Sequence, residues 1–230
     1  MKTRIDAYLE LAEYFEIYHH HLYLVGGTVR DYLINAPFID IDCATDAKPN
    51  QLKGILAKFK PDFTFEKMGS VKIEYYGYKI DITTLRKEGK YDDSRHPSKI
   101  RFIKSIRQDS KRRDFTLNAI YLNRLLQVKD FHHGYNDLMK KRLRMVGNPN
   151  KRIKEDPLRI IRALRFALTY KLTIVPSLDK AIVTNIEELK KLNPEKVKQE
   201  IFKIRNVDHN ELEKMFEKYK IKQLLDDARK

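Results

Sequence analysis

Apolar residues fall on one helical stripe over residues 3–18, where Ile5, Tyr8, Leu9, Ala12 and Phe15 recur at helical spacing. A short apolar run, Leu22–Val25, then ends in Gly26-Gly27, the pattern of a buried strand meeting a tight turn. Thr28 is placed to cap a helix running through Leu33, and Pro37 closes that region. Residues 39–44 alternate apolar and acidic positions as a strand does, and residues 49–59 read as helix. Ser70–Tyr75 and Tyr78–Thr84 form two strands joined through Gly77. The polar stretch 87–98, with Gly89, Asp92, Asp93 and Pro97, reads as a mobile loop. A third strand is expected near 100–103, a helix over 110–118 and a strand over 119–122.

From Lys140 onward the pattern is helix only: Leu158, Ile161, Leu164, Arg165 and Leu168 are in register, and Pro176 and Pro194 mark later helix starts. The expectation is an α+β fold, with a mixed sheet and flanking helices over 1–139 and an all-helical domain over 140–230.

Composition narrows the function. With 47 Lys+Arg against 32 Asp+Glu the chain carries +15, a field that favours nucleic acid or an anionic membrane surface. A lysine-rich chain with no polyanionic partner fits the same count. No apolar run approaches the length of a bilayer span, and residues 1–10 lack a signal-peptide core. One cysteine, Cys43, excludes an internal disulfide framework and argues against a cysteine zinc site. The chain reads as cytoplasmic, and no membrane partner is expected. The sequence carries no signal for an oligomeric state.

Asp40 and Asp42, two apart on a predicted strand, project from one face. Paired hard oxygen ligands suit Mg²⁺, which takes its remaining ligands from water and phosphates. Asp81 on the strand Tyr78–Thr84 is a third candidate; three carboxylates on adjacent strands repel unless cations neutralise them. Two such ions would assist attack by a hydroxyl and departure of pyrophosphate. Acids also decorate solvated strand faces, so the context decides. That context is Gly26-Gly27, a turn that allows close approach of a phosphate to a helix N-terminus.

Two further clusters carry chemistry. Asp114 and Asn118, four apart, can hydrogen-bond a pair of vicinal ribose hydroxyls, and Arg112 and Arg113 can meet phosphates bidentately. A capped amphipathic helix with solvated arginines explains the same residues. Asp156 and Arg159 are neighbours on one predicted helical face. A carboxylate accepts from an exocyclic amine and an arginine donates to a ring nitrogen, an order that cytosine and adenine present and uracil and guanine reverse. A surface ion pair is the alternative. Arg162 and Arg165 lie on the same stripe, available to phosphate or RNA. The histidines 19–21 and Tyr75, Tyr76 and Tyr78 read more simply as pre-strand and strand-packing residues than as metal or base ligands.

Leu24-Val25-Gly26-Gly27-Thr28-Val29-Arg30-Asp31-Tyr32-Leu33, followed by Asp40-Ile41-Asp42-Cys43-Ala44-Thr45, resembles the signature of class II tRNA nucleotidyltransferases and bacterial poly(A) polymerases, of the polymerase-beta-type superfamily. Arg112-Arg113-Asp114-Phe115-Thr116-Leu117-Asn118-Ala119 is similar to the family's second motif, and the run from Glu155 to Phe166 to its template motif. The resemblance implies a palm-like head, metal binding by Asp40 and Asp42, and a triphosphate near Gly26 and Gly27. It also implies ribose recognition by Asp114 and Asn118 and base selection by Asp156 and Arg159. Arg30 and Asp31 match the motif too, as a structural salt link or as substrate contacts.

Weaker likenesses lie at Gly134-Tyr135-Asn136-Asp137-Leu138 and at the segment opening on Pro194, where Lys196 stands in place of the family's usual arginine. The resemblance covers about residues 20–205, the head and neck regions; the body and tail domains of family members have no counterpart in the sequence. Enzymes of the family that add only CC tend to have the region of residues 86–97 shortened, and here it is intact. The expected function is therefore addition of C and A, from CTP and ATP, to the tRNA 3′ end. An A-adding or poly(A)-synthesising enzyme is the alternative within the family, and a catalytically silent RNA-binding homologue the alternative outside it.

Overall fold

The computed structural model of the chain describes residues 2–89, 99–204 and 207–221, which divide into two units at residues 135 and 136. In the first, Thr3 caps helix α1 (Arg4–Ile17) by accepting from the Asp6 amide while Asp6 reaches back to the Thr3 amide, a capping box. Strand β1 (Leu22–Val25) leads into α2 (Gly26–Leu33), then β2 (Ile41–Thr45) and α3 (Pro49–Ile55). The hairpin β3 (Ser70–Tyr75) and β4 (Tyr78–Thr84) follows, then β5 (Arg86–Glu88), β6 (Ile100–Phe102), α4 (Ile106–Ser110), β7 (Ile120–Leu122) and β8 (Val128–Asp130).

Six strands form one mixed sheet in the order β3-β4-β2-β1-β7-β8. Only β2 and β4 are parallel, with Asp42 beside Asp81 in register. Alternation sorts the faces. Ile41, Cys43, Ile80, Ile82, Val71 and Ile73 point into a core closed by Tyr8, Leu11 and Phe15 of α1. Asp42, Asp81 and Lys72 therefore share the opposite, open face. α1 covers the core side, and the Tyr8 hydroxyl binds the Leu22 and Leu122 carbonyls at 3.1 Å each.

Four expectations change in this unit. Asp40 lies in a bend just ahead of β2, so only Asp42 of the acidic pair is on the strand. Thr28 is not a helix cap but sits inside α2, which begins at Gly26. Residues 110–118 are not one helix: α4 ends at Ser110, and a single 3₁₀ turn covers Thr116–Asn118. The ends of the expected mobile loop pair as a ribbon, Lys87 opposite Arg101 and Glu88 opposite Ile100; residues 90–98 lie outside the described residues.

Helix α5 (Gly134–Met139) crosses the boundary. A Cβ on Gly134 would lie 2.0 Å from the Thr116 carbonyl oxygen, so close backbone approach requires glycine there. The second unit continues with β9 (Arg142–Leu143), α6 (Pro149–Glu155), α7 (Leu158–Thr169), β10 (Thr173–Ile174), α8 (Pro176–Asn185), α9 (Pro194–Ile201) and α10 (His209–Lys218). It is helical as expected except for β9 and β10, a two-residue parallel pair. Helix α7 buries Ile160, Ile161, Ala163 and Leu164, and Glu200 of α9 is buried beside it. No helix among the described residues is long and apolar enough to cross a membrane.

Candidate nucleotidyl-transfer site

Gly26 adopts φ +69°, a left-handed conformation that only glycine takes without strain, and turns the chain from β1 into α2. No side chain caps α2, so the N–H groups of its first turn point outward, a preformed anion site. A Cβ on Gly26 would lie 3.6 Å from Asp42 Oδ2 and 3.8 Å from Arg113 Nη1, so carboxylate, guanidinium and turn converge.

The acidic loop is held to this turn by Thr28. Its hydroxyl accepts from the Asp42 amide at 2.8 Å and donates to the Asp40 carbonyl at 3.2 Å. Asp42 sits against Asp81, whose own oxygens take the Ser70 hydroxyl at 2.6 Å and face Lys72 Nζ at 3.9 Å. Burial, then the Asp81 charge, push the Asp42 carboxyl up to about 6, against the pull of Arg113 and with a further push from Asp40. A cation would relieve that crowding. The donor set of Asp40 and Asp42 is all hard oxygen, which fits Mg²⁺. Among the described residues no three His, Cys, Asp or Glu side chains are gathered so as to hold a metal ion.

Arg113 is placed by a buried hub that sequence reasoning missed. Asp109, wholly buried, accepts from Arg112 Nε at 2.8 Å, the Tyr121 hydroxyl at 2.6 Å and the Arg86 amide at 2.9 Å, with Arg113 Nη2 at 3.3 Å. Tyr121 in turn accepts from Arg113 Nε at 2.8 Å. Burial raises the Asp109 carboxyl, but Arg112, Arg113 and the Tyr121 hydroxyl outweigh it and hold the group below its ordinary value. The i,i+3 and i,i+4 spacing of Asp109 to Arg112 and Arg113 was the available signal; the contact with Tyr121 had none. Thr28 was likewise legible only as a cap.

Arg30 is 5% exposed and makes a two-pronged salt link to Asp31, both bonds 2.9 Å. Its Nη1 also donates to Asn118 Oδ1 at 2.9 Å, and Asn118 donates to Asp114 Oδ1 at 3.1 Å. Asp114 and Asn118 thus meet through a turn rather than along a helix face.

In the second unit Asp156 joins α6 to α7 with extended backbone, and its Oδ1 accepts from the Leu158 amide at 3.1 Å. Arg159, 5% exposed, has Nε 3.8 Å from Asp156 Oδ2 and donates from Nη1 to the Arg152 carbonyl at 2.6 Å. The pair is together, and its guanidinium is held rather than solvated. Arg162 and Arg165 converge on buried Glu200, at 3.6 and 2.7 Å, so both serve the packing of α7 on α9. The Tyr75 ring meets Phe59 edge to face, and Tyr78 donates its hydroxyl to the Lys2 carbonyl with the Arg4 guanidinium over its ring.

A model of the Poly A polymerase head domain matches residues 22–144. The CCA-adding enzyme of Staphylococcus saprophyticus is 37% identical over 198 residues, 86% of this chain and 49% of the relative. That of Lactobacillus gasseri is 39% identical over 185 residues, 80% of this chain and 46% of the relative. Among solved structures, the CCA-adding enzyme of Bacillus stearothermophilus in complex with CTP has a TM-score of 0.79 and 31% identity, covering 89% of this chain and 49% of that one. The chain spans about half the length of the curated relatives it matches. The matched span of residues 22–144 holds the Gly26 turn, the acidic sheet face and the Arg113 hub, and the chain belongs to the family of the Poly A polymerase head domain, which is the tRNA nucleotidyltransferase and bacterial poly(A) polymerase family its motifs resemble.

Proposed function

We propose that this chain carries the catalytic part of a cytoplasmic, template-independent RNA nucleotidyltransferase that adds C and A, from CTP and ATP, to the tRNA 3′ end. The observation that carries the reading is the convergence of Asp42, Asp81 and Arg113 beside the unstoppered α2 N-terminus. The names of the relatives, CCA-adding enzymes, and the CTP in one of them support the choice of reaction and substrate.

In this reading the α2 amides and Arg113 bind the triphosphate, and Asp114 with Asn118 orients the ribose. Asp40 and Asp42 hold Mg²⁺, which when bound lowers the barrier to hydroxyl attack and neutralises the pyrophosphate that leaves. Thr28 keeps the two carboxylates in register, and Asp81 completes the acidic face. Asp156 and Arg159 choose the base. Arg162 and Arg165 serve that role at one remove, through the α7–α9 packing, rather than as phosphate ligands.

The test offers tRNAs ending before CCA, after C and after CC to the purified chain with Mg²⁺ and labelled CTP or ATP. Incorporation of CTP on the first two and ATP on the third is expected, and Asp42→Ala abolishes both. The matching family model, named for a poly A polymerase head, favours a second reading in which only A is added; incorporation of ATP without CTP on any acceptor selects it.

A further inference from the structure

Arg113 and Asp114, read above as triphosphate and ribose contacts, lie in a bend outside any helix or strand. Helix α4 ends at Ser110 and the 3₁₀ turn begins at Thr116, so the residues between are placed by how those two flanks are held. One short stretch, residues 130–134, grips both flanks where it joins β8 to α5.

At the Thr116 flank the grip is steric: Gly134 packs so closely that a Cβ would lie 2.0 Å from the Thr116 carbonyl oxygen. At the Ser110 flank it is polar. His132 Nε2 lies 2.9 Å from the hydroxyl of Ser110, which is wholly buried. A neighbouring bond settles its direction. The Ser110 hydroxyl donates its one proton to the Arg107 carbonyl at 2.9 Å, so it accepts from His132, and the imidazole proton sits on Nε2. Burial, with Lys111 and His133 adding to it against Asp130, holds the imidazole below its ordinary value. At neutral pH the ring therefore keeps a single N–H, committed to Ser110.

Asp130 shapes the stretch, its carboxylate accepting the His132 amide at 3.0 Å and the Tyr135 amide at 2.9 Å. His133 then turns the chain at φ 59°. On the other side, the Ser110 carbonyl accepts the Arg113 amide at 3.3 Å, so a displacement of Ser110 passes to Arg113 through one backbone bond. The Asp109 carboxylate reaches the guanidinium ends of Arg112 and Arg113; His132 and Gly134 fix the backbone that carries them.

We propose that His132 is a positioning residue for nucleotide binding: with Gly134 it clamps the segment that presents Arg113 and Asp114 to CTP or ATP. The proposal rests on the reading of those two residues as nucleotide contacts.

The experiment compares the full chain with three variants. His132→Phe keeps a ring and removes the N–H, His132→Gln places an amide nitrogen near the position of Nε2, and Ser110→Ala removes the acceptor. Affinity for CTP is measured by equilibrium titration with Mg²⁺ and no RNA, and steady-state incorporation gives kcat with separate KM values for CTP and RNA. His132→Phe and Ser110→Ala are expected to weaken CTP binding and raise KM for CTP about fivefold, the worth of one neutral hydrogen bond. KM for RNA should stay unchanged, and His132→Gln should recover the wild-type affinity. A purely structural role would instead lower the folded fraction, and with it the apparent kcat, while leaving CTP affinity alone. That result overturns the assignment, as does a glutamine variant as weak as the phenylalanine one. Should His132→Phe not fold, Ser110→Ala read against His132→Gln makes the same comparison. A wild type that binds CTP but incorporates none refutes the proposed reaction, and the titrations still decide the clamp; one that binds no CTP refutes both.

Discussion

The Thr28 hydroxyl accepts the Asp42 amide at 2.8 Å, so a residue inside α2 fixes the backbone of the acidic strand. The same hydroxyl donates to the Asp40 carbonyl, and Thr28 is 2% exposed, so no water replaces it. Thr28→Val keeps the shape and removes both bonds, taking the partner from the part-buried Asp42 amide. Incorporation is expected to fall about a hundredfold through misplaced carboxylates, with a higher Mg²⁺ requirement. Thr28→Ser should restore it. A valine variant with unaltered Mg²⁺ dependence would remove Thr28 from the positioning role.

Asp109 carries a different kind of weight. It is wholly buried and faces two arginines, so Asp109→Asn removes the buried carboxylate they share, a loss of about 3–5 kcal/mol by analogy with broken buried pairs, although Arg112 keeps Glu88 at 3.6 Å. Tyr121→Phe removes only one hydroxyl and should cost nearer 1 kcal/mol. Urea unfolding of the three proteins measures the order. KM for CTP should rise in both variants because Arg113 loses its support; if Asp109→Asn unfolds at the wild-type urea concentration, the hub is not structural.

The contrast between these two residues shows what a single sequence discloses. Strands Leu22–Val25, Ser70–Tyr75 and Tyr78–Thr84 were legible to the residue, because alternation and flanking turns are local signals. Asp42 and Asp81 were legible as acids sharing one sheet face, since alternation sets them opposite the apolar residues of the core. The pairing of Thr28 with Asp42 spans 14 residues and that of Arg30 with Asn118 spans 88, and no periodicity encodes such contacts. Residues 110–118 misled for the same reason: a helical spacing of Asp114 and Asn118 is also the spacing of a turn that Arg30 holds closed.

Glu200 makes the second unit sensitive to acid. Burial alone would raise its carboxyl; Lys203 at 2.9 Å, Arg165 and Arg162 overcome that and hold it below its ordinary value. A carboxyl with a lowered folded pKa contributes stability that is complete above the unfolded value and is lost as pH falls through the folded one. The urea midpoint of the wild type should therefore drop between neutral pH and the acid range, and Glu200→Gln should start lower and show a shallower decline. Parallel curves for the two proteins would exclude Glu200 as the source.

Arg159 sets the last expectation. Its guanidinium donates to the Arg152 carbonyl and lies 3.8 Å from Asp156, whose other oxygen is fixed by the Leu158 amide. Both members of the proposed base reader are thus oriented before any base arrives, which is what rejection of the wrong donor–acceptor order requires. Arg159→Ala should lower the preference for CTP over UTP about 10–100-fold, the worth of one charge-assisted hydrogen bond. Arg159→Lys keeps the charge without the planar fork and should recover stability but not selectivity. The ratio of kcat/KM for CTP and UTP is the proper readout, because a general loss of structure slows both. If that ratio is the same in the alanine variant and the wild type, Arg159 holds the α6–α7 junction together and reads no base.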